Sequence, residues 1–206
     1  MQKGEEVYLT GLELLMVMLA GVSLPRPEYN KMMKDLIAAL KANGPRIKPK
    51  VRLLYTGGHA DNPEFFELLQ QNDAHVVSDN TGFGTRAADV LICEDGDPLE
   101  AIINYYFEEK PAATRQMGTQ VERMERLLDL VKQYKADGVV ASRLYMCDLW
   151  AFEHFLMRKR LHENNVPFLE LEVDYTPEGQ GQIKTRVQAF VESLADRQTA
   201  VSYTHL

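Results

Sequence analysis

A cysteine set between a buried strand pattern and a helix pattern is the residue of this chain best placed to do chemistry. Cys147 lies in Arg143–Asp148 (RLYMCD), directly after the β-branched, apolar run Gly138–Ser142. A thiol near a helix start meets the partial positive charge of the free N–H groups there. That charge favours thiolate, the form that ligates metal or attacks an electrophile. The bland alternative, an inert packed cysteine, is the commoner fate of a lone Cys. Two other segments offer anion-binding chemistry. Asp174–Arg186 (DYTPEGQGQIKTR) is a glycine-bearing turn into a helix, where backbone N–H groups can hold phosphate or carboxylate, and Lys184 and Arg186 add positive charge. Its spacing fits neither a Walker loop nor a dinucleotide fingerprint. Asp79–Arg86 (DNTGFGTR) brings glycines, hydroxyls and an arginine to another strand end. For both, a plain turn is about as good a reading.

Other candidates are weaker. Gly57-Gly58-His59 ends a strand pattern. His59, His75, His154 and His162 show no paired metal-ligand spacing. Cys93 closes an apolar run, and Glu94-Asp95-x-Asp97 is explained more simply by Asp97 capping a helix. The chain has no Gly-x-Ser-x-Gly elbow, no Cys-x-x-Cys and no recognisable Ser/His/Asp set.

The elements that must position these residues alternate between strand and helix patterns, which predicts an α/β fold with a parallel sheet covered by helices. Residues 11–43 read as helical, broken at Pro25 and Pro27. One stripe holds Leu12, Leu15, Met16 and Leu19, the other Met32, Met33, Leu36, Ile37 and Leu40. Lys41–Lys50 is a linker, so residues 1–50 form a helical segment ahead of an α/β lobe over 51–198. Strands are expected at Val51–Tyr55, Ala74–Val77, Gly138–Ser142 and Pro167–Val173, with a short fifth at Asp89–Cys93. Asn62-Pro63 and Asp97-Pro98 read as N-cap plus first helical position. Thr119-x-x-Glu122 reads as a capping box, and Asp148 as a cap. The result is a Rossmann- or flavodoxin-like layer of four or five strands, whose ligands bind beyond the carboxyl ends. The unusual residues gather at those ends.

The 206 residues carry a formal net charge of −7, which argues against a nucleic-acid partner. No segment has the apolar length of a membrane span. Two cysteines without framework spacing fit a reducing cytoplasm. The last residues, Val201–Leu206 (VSYTHL), read as a non-native tail, and the abrupt start points to a missing upstream portion.

Several blocks, in order, resemble subunits of the 2-hydroxyacyl-CoA dehydratase and benzoyl-CoA reductase family. They are Leu53–Leu69, Asp79–Arg86, Asp137–Glu153 (DGVVASRLYMCDLWAFE), and Pro167–Phe190 with LEVDY at Leu171–Tyr175 and GQIKTR at Gly181–Arg186. The resemblance implies the C-terminal portion of a subunit that has two Rossmann-like lobes and pairs into a homo- or heterodimer. It implies a [4Fe–4S] cluster held through three cysteines, with Cys147 at one ligand position. A second should lie near Gly82, where this chain has no cysteine, and another in the upstream lobe. It further implies an acyl-CoA substrate contacted by Thr85, Arg86, Gly181, Gln182, Thr185 and Arg186, and an ATP-dependent activator protein. The reaction would be radical removal of water from an (R)-2-hydroxyacyl-CoA. Two other readings stay open: a non-catalytic partner subunit without a complete cluster, and a stand-alone CoA- or nucleotide-binding module.

Overall fold

The computed structural model describes residues 2–58, 62–71, 73–174 and 180–203. Four strands form one parallel sheet: β1 (Val51–Gly57), β2 (Ala74–Asn80), β3 (Gly138–Leu144) and β4 (Phe168–Val173), in the order β2-β1-β3-β4. The chain leaves β1 to one side for β2, then returns past it to β3. The gap between the tips of β1 and β3 is therefore a topological switch point, where such sheets open a crevice.

Alternation along the central strands builds two cores. Leu53, Tyr55 and Val140 turn to one face. There they meet α1 (Gly11–Ser23) through Leu15, α3 (Pro63–Leu69) through Phe65, Phe66 and Leu69, and α7 (Gln180–Tyr203) through Val187, Val191 and Leu194. Leu54, Val139 and Ala141 turn the other way. They meet α5 (Gln120–Gln133) through Met124, Leu127 and Val131, and α6 (Asp148–Glu163) through Trp150, Met157 and Leu161. The central strands are apolar on both faces because helices cover both.

The proline-based caps form as read: Asn62 Oδ1 accepts from Glu64 N at 2.9 Å, and Asp97 Oδ1 accepts from Leu99 N at 2.9 Å. Thr10 and Glu13 form a reciprocal capping box on α1. α1 and α2 (Arg26–Asn43) break near Pro25 as expected, but α2 buries no residue, and Met32 and Ile37 stay exposed.

Three expectations fail. Asp89–Cys93 is not a strand but irregular chain with Leu91 and Ile92 exposed. A short apolar run needs a neighbouring strand to pair with, and here Arg126 instead holds Asp89 in an ion pair. Thr119 does not close a capping box: its Oγ1 donates to Gln116 O and accepts from Arg123. Asp148 is the first residue of α6, and the N-cap position belongs to Cys147, without a side-chain cap bond. Val201–Tyr203 continue the backbone of α7, while Thr204–Leu206 lie outside the described residues.

The amino-terminal residues are tied to the sheet by Arg52, which is buried. Its guanidinium donates to Tyr134 O at 3.0 Å, Glu5 O at 3.3 Å and Gln2 O at 3.0 Å.

Candidate functional site

Because all four strands run the same way, their carboxyl ends share one edge of the sheet. In order along it stand the β2 loop (Thr81–Ala87), the β1 tip (Gly57-Gly58), the β3 turn (Leu144–Cys147) and the end of β4, followed by the start of α7.

At the β1 tip the backbone passes close to its neighbours. Gly58 N donates to Ser142 O at 3.2 Å, and a Cβ on Gly58 would overlap the indole of Trp150 on α6. Only glycine lets this strand end lie against α6.

The β3 turn closes through Cys147 N to Leu144 O at 3.1 Å, and Tyr145 N joins it to Val173 O of β4 at 2.9 Å. Met146 occupies its third position with φ 62°, a left-handed conformation usually left to glycine. Strain of this kind, of order 1–3 kcal/mol, is concentrated at functional sites. Cys147 is half-buried, resting partly on the apolar cluster beneath α6. Around it Tyr145, Met146, Leu149, Phe152 and Phe155 form an exposed apolar rim.

The β2 loop is organised by Asp79. Its Oδ1 accepts from Thr81 N at 2.9 Å, Thr81 Oγ1 at 2.7 Å and Thr85 N at 3.1 Å, while Thr85 Oγ1 donates back to Asp79 O. Burial pushes the Asp79 carboxyl above its ordinary range, against the pull of those donors and of Arg86. A Cβ on Gly84 would overlap Asp79 Oδ1. Gly84→Ala must therefore expel the carboxylate from its donors, with an expected loss of about 1–3 kcal/mol. Chemical denaturation checks this, and an unchanged midpoint would mean the loop yields freely.

Beneath the edge on the α5–α6 side, Arg123 and Glu153 form a buried bidentate pair at 2.7 and 2.8 Å. Next to it His154 is fully buried, its ring edge-on to Trp150 and Phe168. Its Nδ1 stands 3.4 Å from Glu170 Oε1 without hydrogen-bond alignment. Burial lowers the His154 pKa below 6.5. Glu170 opposes that shift, and Arg143 and Arg158 reinforce it. The unfolded chain then takes up this proton first as pH falls. Stability present above pH 6.5 is lost as pH drops through that value toward the folded pKa. Urea midpoints at pH 7.5 and 5.5 should therefore differ less in His154→Gln than in the parent; an equal difference would show that other groups carry it.

Cys147, Gly57-Gly58, Thr85 and Arg86 thus all stand along the carboxyl-end edge of the sheet. Arg86 lies within electrostatic reach of Glu153 on α6, which links the β2 loop to the helix that begins at Cys147. Gly181, Gln182, Thr185 and Arg186 are exposed in the first turns of α7. Two of them already have local partners: Arg186 Nη2 donates to Glu170 O at 2.7 Å, and Thr185 Oγ1 to Gly181 O at 3.0 Å. His75 stands near the start of β2, at the opposite edge from Cys147, and Cys93 is exposed in irregular chain. His59 and Gly179 lie outside the described residues.

The family model for the 2-hydroxyglutaryl-CoA dehydratase D-component matches residues 1–194. The chain belongs to that dehydratase family. YjiM of Escherichia coli (strain K12) is 29% identical over 73% of this chain and 39% of its own length. The (R)-phenyllactyl-CoA dehydratase beta subunit of Clostridium sporogenes is 24% identical over 86% and 47%. A benzoyl-CoA reductase subunit from Thauera aromatica is 22% identical over 88% and 48%. The chain therefore spans about half, or less, of the length of these relatives.

Membership in the dehydratase family sharpens the question of an iron–sulfur cluster. Among the described residues no group of three or more His, Cys, Asp or Glu side chains could hold a metal ion. Gly82 is exposed glycine in the β2 loop, so that loop supplies no thiolate. The described residues offer one cysteine side chain at this edge, Cys147, and do not by themselves fit a cluster. No helix among them is long and apolar enough to cross a membrane.

Proposed function

We propose that this chain is part of a cytoplasmic subunit of a 2-hydroxyacyl-CoA dehydratase, an enzyme that removes water from an (R)-2-hydroxyacyl-CoA to give an enoyl-CoA. Family membership together with the placement of Cys147 supports this reading: a half-exposed thiol at the switch-point edge, next to a strained turn. A [4Fe–4S] cluster would supply the one-electron chemistry, with Cys147 as the one ligand from this chain and the others from elsewhere in the full-length protein.

The chain's own residues then bind and enclose. The β2 loop with Thr85 and Arg86, and the α7 start with Gly181, Gln182, Thr185 and Arg186, stand at opposite ends of the sheet edge. Three strand steps, about 14 Å, separate the β2 and β4 strands that these segments follow. An extended acyl-CoA, rather than a small anion, bridges such a span. The exposed rim of Tyr145, Met146, Phe152 and Phe155 would be covered by a second dehydratase subunit, which excludes water beside the thioester. An ATP-dependent activator protein completes the set of partners.

One observation favours a second reading within the same family. Glycine at position 82 removes a ligand that the resemblance implies, as in a partner subunit that shapes the CoA channel without a complete cluster. Iron and acid-labile sulfide analysis of the anaerobically purified full-length complex separates the two. A cluster in this subunit supports catalysis here; iron confined to the partner makes this the silent subunit. A purified protein that binds CoA with neither iron nor partner would remove both readings.

A further inference from the structure

Two segments of the chain bury almost none of their apolar residues. α2 buries no residue: Met32 and Ile37 are exposed, and Met33, Leu36 and Leu40 are half-buried. α4 (Pro98–Asn104) buries none either, and the turn that follows it, Tyr105–Glu109, buries only Tyr105. Leu99, Ile102, Ile103, Tyr106 and Phe107 are left exposed there. Beside α4 lies an open groove of about 930 Å³, lined by Leu91, Ile92, Pro98, Ala101, Ile102 and Tyr105. Contiguous exposed apolar surface of this kind marks an interaction site.

The charges on the two segments are opposite. Residues 26–50 carry seven Lys or Arg against two Asp or Glu, and residues 88–118 carry two against seven. Internal pairing removes few of them: Arg46 pairs with Glu13, Lys50 with Asp73, and Asp89 with Arg126. Lys34 and Lys41 remain, two helical turns apart on one flank of the α2 stripe. Glu94 and Asp95 remain along the groove. Met32, Leu36 and Leu40 stand at the i, i+4, i+8 spacing of a helix that lies in an apolar groove. Within one copy neither face covers the other, since both stay exposed. Two acidic α4 segments set against each other would repel, whereas α2 set against α4 attracts.

We propose that α2 of one copy docks into the α4 groove of a second copy of this chain. Each copy carries both faces, so a two-fold axis makes the contact reciprocal. The interface uses none of the rim residues around Cys147 and does not depend on the acyl-CoA reading.

Sedimentation velocity of the full-length protein at low and high salt tests it, with two charge-reversed variants. One is Lys34→Glu/Lys41→Glu on α2, the other Glu94→Lys/Asp95→Lys at the groove. The parent should self-associate, and high salt should weaken the association. Each variant alone should associate about tenfold or more weakly, because both of its reciprocal contacts then set like charges together. Mixed in equal amounts, the two variants should pair again, because each contact regains opposite charges. All four residues are exposed, so the fold should persist. If a variant still fails to fold, zero-length carboxyl–amine cross-linking of mixed isotope-labelled and unlabelled parent decides. Links are then expected between Lys34 or Lys41 of one copy and Glu94 or Asp95 of the other. A monomeric parent, a variant that associates as the parent does, an unpaired mixture, or cross-links confined to one copy would each overturn the interface. A groove filled by the rest of the full-length chain, or by a different subunit, would show as a monomeric parent.

Discussion

Arg123→Ala should cost the protein about 3–5 kcal/mol, a large share of the 5–15 kcal/mol that holds a typical domain folded. Both partners of the Arg123–Glu153 pair are buried, with side-chain exposures of 8% and 4%. Removing the guanidinium leaves the Glu153 carboxylate without its cation beneath the edge. The loss extends further, because Arg123 Nη1 also donates to Ala113 O at 3.3 Å, Gln116 O at 3.1 Å and Thr119 Oγ1 at 2.6 Å. The segment ahead of α5 would lose its anchor together with the pair. The double variant Arg123→Met/Glu153→Leu removes both charges and should recover much of the loss. Thermal and urea unfolding of the full-length protein check both variants. A single variant as stable as the parent would mean that water or another cation reaches Glu153 and that the pair is not a structural anchor.

No local signal in the sequence marks this pair. Arg123 and Glu153 stand thirty positions apart, on helix patterns that look amphipathic and ordinary. Their pairing depends on how α5 and α6 lie over β3. The strands, by contrast, were plain in the sequence, because a β-branched run such as Val139-Val140 between helix patterns has few other homes. Their ends were not. β2 runs on past its last apolar residue, Val77, to Asn80, and β3 runs past the β-branched core through Ser142 and Arg143 to Leu144, because pairing to β1 and β4 continues there. The apolar run at Asp89–Cys93 had the composition of a strand but pairs with neither edge strand, β2 or β4.

At the candidate site, sequence position already put Cys147 at a strand tip, since strand-to-helix order alone fixes that. The left-handed Met146 beside it gave no signal, because methionine has no preference for that conformation. The Asp79–Thr85 loop showed in the sequence as glycines, hydroxyls and an arginine at a strand end, not as the carboxylate-capped turn it forms. That this carboxylate is taken up by Thr81 and Thr85 emerges only from the folded geometry.

The assignment turns on the thiol of Cys147, the half-exposed N-cap of α6 on the crevice edge. Cys147→Ala removes no buried charge and only a modest apolar contact, so the fold should persist. Its effect should fall on iron. The direct measurement is iron and acid-labile sulfide per complex, parent against Cys147→Ala, with both purified anaerobically at full length and Cys93→Ala as control. The account predicts that Cys147→Ala loses the cluster iron of this subunit while Cys93→Ala retains it. Equal iron and sulfide in all three proteins would contradict it and return Cys147 to the packing of α6.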